Sequence, residues 1–261
     1  YIENSGRNLF EGNRIAYAAD PSDNVGASGM SLTTSKNIVR YNMFYYNDMA
    51  GLTMSVTRSY CQDIVYNKIY HNTFLHNYKN ERGPKCGLAF AIYSGDFIIK
   101  HNSIRNNIFF GHEKPFGSYR VNLEDQIFAG NWDGDSLGDP KFVNAPSSFG
   151  DPMDPGLPDL HLKPDSPCKD KGTYLTTITS ASGSGTSFMV ADAGYFIDGW
   201  GIKGVQGDEI QLFQTSQKAR ITSVNYETGL ISVNRKLNWK QGQGLSLSYK
   251  NKSPDAGAFE Y

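Results

Sequence analysis

The sequence predicts an all-β chain: a right-handed parallel β-helix with an inserted small antiparallel β-barrel or sandwich domain near the C-terminus. Three observations predict it. Asparagine occurs 14 times in the first 110 residues and 7 times in the other 151, although Asn is poor in helix and strand interiors alike. Within the first region Asn recurs every five residues, with an apolar residue two places after it. Beyond residue 172 that rhythm gives way to period-two alternation of apolar and polar residues.

Composition bounds the rest. The chain has 261 residues, with 27 Gly, 16 Tyr and 15 Phe, a usage that suits β structure. A net charge of −1 argues against a nucleic-acid partner. No run of 18 apolar residues is present, so no membrane-spanning helix is expected. Three cysteines (Cys61, Cys86, Cys168) in a chain of this length form no disulfide framework and read as ordinary buried thiols.

Four segments align as repeats: Asn8–Ile15, Asn37–Asn47, Ile64–Asn77 and Phe97–Phe109. Each of the first three is followed by a Gly-led alternating strand, beginning at Gly29, Gly51 and Gly87. Taking Asn13, Asn42, Asn67 and Asn102 as equivalent gives spacings of 29, 25 and 35 residues, a fixed rung with a variable loop. Three short strands per period fit a β-helix coil better than a four-stranded propeller blade. Asn tolerates the left-handed conformation of a tight bend. Stacked coil on coil, its amides can form a hydrogen-bonded ladder along the axis. The expected ladder residues are Asn13, Asn42, Asn47, Asn67, Asn72, Asn77, Asn102 and Asn107. The apolar residues two places on should stack inside.

The N-x-Φ-x-x-N-x-F-x-x-N…G-Φ pattern resembles the repeats of secreted bacterial parallel β-helix proteins, the pectate-lyase-like superfamily. Gly138–Val143 and Asp159–Gly172 resemble the closing segment of such proteins, and Pro254–Tyr261 resembles their terminal D-x-G-A-[FY]-E motif. The resemblance implies a secreted or cell-surface bacterial protein with polysaccharide as partner. It specifies architecture more than activity, because lyases, hydrolases, adhesins and scaffolds share the repeat.

Residues 1–172 are therefore expected to hold the coils and a Pro-rich segment, since seven of the eleven prolines fall between Pro140 and Pro167. Proline cannot continue a ladder, so this stretch reads as extended chain wrapping the last coils. Ser180–Thr186 reads as a Gly/Ser stretch ahead of five strands, which make 173–250 the inserted antiparallel domain; 251–261 return to the β-helix. No cap precedes Asn8, so further N-terminal coils, or a second chain at the first coil, are expected to cover it.

The strand register places Ser31, Thr33, Thr53, Ser55, Thr57, Ala89, Ala91 and Tyr93 on the outward face. In pectate-lyase-like proteins the comparable face is the substrate groove. That set lacks the base and cation that uronate elimination needs, so a complete active centre is not evident and no catalytic residue is assigned. The flanking loops supply the substrate-binding candidates: Arg58, Tyr60, Lys79, Glu81, Arg82 and Lys85. No cofactor is required by this reading. Asp133, Asp135 and Asp139 alternate with Gly in a pattern open to Ca²⁺, or equally to Asx turns. His71, His76 and His101 precede ladder asparagines and read as turn residues rather than metal ligands. Trp132, Trp200, Trp239, Tyr195 and Tyr226 suit either sugar stacking or ordinary packing. A lyase-like or glycan-binding protein is one expectation; a structural or adhesive surface module is the other.

Overall fold

A computed structural model describes residues 6–19, 26–57, 62–77, 85–146 and 157–261. The chain divides into two compact units, one of residues up to Lys171 together with Asp255–Tyr261, the other Gly172–Pro254.

The first unit is built from coils of short strands. The first coil contributes β1 (Leu9–Glu11), β2 (Arg14–Ala16) and β3 (Met30–Leu32), and the second β4 (Ile38–Arg40), β5 (Met43–Tyr45) and β6 (Leu52–Val56). The third has β7 (Ile64–Val65), β8 (Lys68–Tyr70), β9 (Thr73–Leu75) and β10 (Cys86–Ile92). The fourth has β11 (Ile99–Lys100), β12 (Ser103–Arg105), β13 (Ile108–Phe110) and β14 (Lys114–Tyr119), and β15 (Ile127–Ala129) and β16 (Trp132–Asp133) follow. Strands stack as parallel sheets β1-β4-β8-β12-β15, β2-β5-β9-β13-β16 and β3-β6-β10-β14, with β7 pairing β11. Stacked parallel sheets of this kind are consistent with a β-helix.

Asparagine holds the stack together. Asn8 Nδ2 donates to Asn37 Oδ1, Asn37 to Asn67, Asn67 to Asn102 and Asn102 to Gln126 Oε1, at 2.8–3.0 Å. A second column runs Asn13, Asn42, Asn72, Asn107, Asn131 at 2.9–3.0 Å. A third runs from Asn47 to Asn77 at 2.7 Å and ends on His112 Nε2. Each Oδ1 also accepts the backbone N–H of the residue at the same rung one coil back, as Asn72 does from Asn42 and Asn47 from Ala18, both at 3.0 Å. Asn37, Asn42, Asn47, Asn67, Asn72, Asn77, Asn102 and Asn107 are fully buried with their polar atoms bonded in this way, which removes the usual cost of a buried amide.

Two expectations need correction. Asn42 pairs with Asn72, not Asn67, so the equivalent rungs are spaced 29, 30 and 35 residues. The alignment of Asn13 and Asn42 with Asn67 and Asn102 is off by one rung, because a five-residue recurrence looks the same after a five-residue slip. The left-handed residue is also not the asparagine but the one before it: Lys36, Tyr41, Tyr46, Tyr66, His71, His76 and His101 all have φ between 41° and 63°. Such residues cost about 1–2 kcal/mol in that conformation. Their N–H groups still bond to the next coil, as Tyr41 does to the His71 carbonyl at 2.8 Å. Their rings stack from coil to coil as well, Tyr41 on His71 and Tyr66 on His101, both at 5.4 Å.

Inside, Phe44, Phe74 and Phe109 follow their asparagines by two residues and stack face to face at 4.7 Å, the coil spacing itself. Val39, Ile69 and Ile104 form the matching aliphatic column in the same core. The leading glycines are set by proximity. A Cβ on Gly51 would lie 2.7 Å from Phe44 Cβ, and one on Gly87 would lie 2.5 Å from Phe109 Cδ1.

After α1 (Gly134–Leu137), strands β17 (Phe142–Asn144) and β18 (Asp159–Leu162) pair antiparallel. This Pro-rich segment does not merely wrap the last coils. Phe142, Leu160, Leu162 and Cys168 pack with Met43, Tyr45, Leu75 and Ile108, across the second to fourth coils. The terminal segment joins them: Gly257 N–H donates to the Asn106 carbonyl at 2.8 Å and Ala258 N–H to Thr73 Oγ1 at 3.0 Å. Asp255 accepts the N–H groups of Asp170 and Tyr261, each at 2.7 Å.

The second unit is one antiparallel sheet of β19 (Thr176–Thr177), β20 (Gly183–Met189), β21 (Glu209–Leu212), β22 (Lys218–Asn225), β23 (Leu230–Trp239) and β24 (Gly244–Leu247), in the order β19-β24-β21-β22-β23-β20. The Gly/Ser stretch does not stand ahead of the strands but enters one: Gly183–Gly185 pair with Trp239–Leu237. Trp239 lies 3.5–3.8 Å from where Cβ atoms of these glycines would stand. The indole thus covers Gly183 and Gly185, which have no side chains of their own to pack.

Candidate functional site

The outer face of the β3-β6-β10-β14 sheet carries a groove of about 390 Å³, lined by Gly26, Ser28, Ser31, Met49, Thr53, Ser55, Thr57 and Tyr93. Its chemistry follows from strand alternation. Leu52, Met54 and Val56 enter the core, which leaves Thr53, Ser55 and Thr57 on the other side. Coil stacking then lines hydroxyls up in register, Ser31 beside Thr53. Ser28 Oγ and Thr53 Oγ1 are 2.6 Å apart. The next strand places Ala89 and Ala91 beside Thr53 and Ser55, which keeps that part of the face shallow.

Tyr93 lines one end of the groove, and Tyr119 stacks on it. Tyr93 and Tyr119 stack at 5.4 Å and 23°, and both are about half exposed (52% and 54%). Burial of its hydroxyl, then the neighbouring Tyr119, raises the Tyr93 pKa. Tyr119 was not foreseen, because its strand lacks the leading glycine. Pro115 stands beside Gly87 in register, on the edge strand of the sheet where a missing N–H is tolerated. The readable signal is the period-two pattern of Phe116-Gly117-Ser118-Tyr119, which sets Tyr119 on the face opposite the core-packed Phe116.

At the other end of the same strands, Lys85 pairs with Glu113 at 3.0 Å. Of the expected substrate-binding residues only Lys85 can be placed; Arg58, Tyr60, Lys79, Glu81 and Arg82, like Cys61, lie outside the described residues. Cys86 and Cys168 are buried free thiols, and burial pushes each up to about 12.

The three aspartates do not converge. Asp133 caps α1, accepting from Asp135 N–H and Ser136 Oγ, while Asp135 accepts from Gly111 and His112 N–H and Asp139 from Lys141 N–H. Among the described residues no group of three or more His, Cys, Asp or Glu is placed to hold a metal ion. His71 and His112 are buried, and burial lowers them to about 4 and about 3. His112 accepts the Asn77 N–H at Nε2, 3.2 Å away, and ends the third ladder. Tyr195 and Trp239 are buried, and the Trp200 indole donates to Tyr226 Oη at 2.8 Å, so these aromatic groups serve packing.

No described helix is long and apolar enough to cross a membrane. The chain matches no family model, no curated protein and no solved structure.

Proposed function

We propose that the chain is part of a secreted or cell-surface carbohydrate-active protein, a right-handed parallel β-helix that binds polysaccharide along the outer face of its β3-β6-β10-β14 sheet. The observation that carries this reading is the hydroxyl-lined groove that ends on Tyr93, with Tyr119 stacked on it and both rings half exposed. Rows of hydroxyls suit the hydroxyls of a glycan, and exposed aromatic faces suit the apolar faces of sugar rings. The resemblance of the repeats and terminal motif to pectate-lyase-like proteins supports the same reading. In this reading Gly172–Pro254 is an inserted antiparallel domain.

The chemistry points to binding before depolymerisation. Among the described residues lining the groove there is no carboxylate, lysine, arginine or histidine to act as base or cation. A uronate-elimination assay on a polysaccharide panel, run beside a glycan array, separates the two. Array binding without elimination supports a binding module; elimination supports a lyase; neither refutes a carbohydrate role. The second reading, a structural or adhesive module, is favoured by the buried asparagine columns, which stiffen the stack without serving any ligand. It predicts that neither assay responds.

A further inference from the structure

The second unit holds a pocket of about 490 Å³ with a different chemistry from the groove. Its lining includes Lys218, Lys250 and Lys252 with Gln211, Gln214 and Ser216, and no Asp or Glu is among the described lining residues. The unit as a whole is cationic: Gly172–Pro254 holds eight Lys and Arg against five Asp and Glu, in a chain of net charge −1.

The pocket floor is pre-organised. Tyr249, which is buried, donates its N–H to Gln211 Oε1 at 3.0 Å, and its carbonyl accepts Lys218 Nζ at 2.7 Å. Its hydroxyl accepts the N–H of Gln214 at 2.7 Å and so holds that residue in the left-handed conformation, at φ 58°. Gln211 Nε2 is bound to the Thr215 carbonyl at 2.6 Å. One tyrosine thus fixes the position of the Lys218 ammonium and the shape of the turn above it. Lysine ammonium groups carry three donors each. Gathered around a concave site without a lining carboxylate, they attract an anion, and a charge-assisted bond to an oxyanion is about twice as strong as a neutral one.

We propose that this pocket binds an oxyanion group, a carboxylate or a sulfate ester; that a saccharide carries the anion rests on the function proposed above. The site is separate from the tyrosine-ended groove and does not require the groove to bind sugar.

The test is amide-resolved NMR titration of the full chain at constant ionic strength. The probes are trigalacturonate, a sulfated galactose trisaccharide and neutral galactotriose. Saturable shifts at the amides of Gln214, Ser216, Lys218 and Asn251 are expected with at least one acidic probe and none with the neutral one. The tighter of the two identifies the anion. Lys218→Gln/Lys250→Gln should weaken binding about tenfold, equivalent to about 1.4 kcal/mol. Lys250→Gln alone, at an exposed position, should weaken it about threefold and guards against a folding defect in the double variant. Tyr93→Ala/Tyr119→Ala should leave these shifts intact, so failure of the groove and failure of the pocket are distinguishable. The proposal is overturned if no acidic probe gives saturable shifts at these amides, if galactotriose does so equally, or if the lysine variants bind as tightly as the parent.

Discussion

Replacing Asn72 by alanine tests the ladder at its centre. Its Oδ1 accepts Asn42 N–H and Nδ2, each at 3.0 Å, and its Nδ2 donates to the Val39 carbonyl at 2.8 Å and to Asn107 Oδ1 at 3.0 Å. Alanine strands the Asn42 N–H in the buried interior and takes one partner from the Val39 carbonyl, which stays paired in the β4–β8 ladder. The stranded N–H costs about 1–3 kcal/mol, and the void adds to it, so Asn72→Ala should destabilise the coils by about 2–4 kcal/mol. Asn13 makes the useful contrast. It lies on the exposed first coil, where its Nδ2 donates to the Glu11 carbonyl and Asn42 Oδ1. Water can replace those bonds, so Asn13→Ala should cost less than about 1 kcal/mol. Urea unfolding gives both values, and hydrogen exchange at the β5 and β9 amides assigns the transition to the coils. Equal, small effects of the two substitutions would refute the claim that the columns carry the stack.

Three further outcomes follow from the same geometry. Gly87→Ala places a Cβ 2.5 Å from Phe109 Cδ1, inside a stacked column that has nowhere to move, and should cost about 1–3 kcal/mol; Gly12→Ala, with φ 68° and open space around it, should cost only about 1 kcal/mol by the same unfolding assay. Burial lowers His112 from 6.5 to about 3, so the unfolded chain binds its proton first; the contribution is present above pH 6.5 and is lost as pH falls toward 3. His112→Asn, which continues the third column with an asparagine, should therefore flatten the fall in stability between pH 7 and pH 5, measured as the urea midpoint, and an unchanged slope would count against the assignment. Lys85→Gln removes a half-exposed ion pair with Glu113 and should change stability by less than about 1 kcal/mol.

The coils were legible because asparagine and its apolar follower, two places on, mark both a ladder and a core column, as Asn72 and Phe74 do. The register was less legible, since the same five-residue recurrence hides which rung faces which. The bends were half legible: His71 reads as a turn residue, as it is, but the left-handed conformation was given to the asparagine beside it; Tyr41 does not favour that conformation, and the stack imposes it and offsets part of the strain through coil-to-coil bonds. The Gly/Ser stretch does not read as strand because its packing is supplied by Trp239, over fifty residues away in sequence. At the site, the outward hydroxyls of the second coil were readable from alternation. Tyr119 was not, because Pro115 broke the glycine pattern that would have placed its strand.

The most direct test of the central claim is the affinity of the chain for its best array polysaccharide, compared with that of Tyr93→Ala/Tyr119→Ala. Both rings are half exposed and lie outside the core, so the urea midpoint should barely move. A loss of binding of tenfold or more at unchanged stability is the predicted result; undiminished binding by the double variant would contradict it.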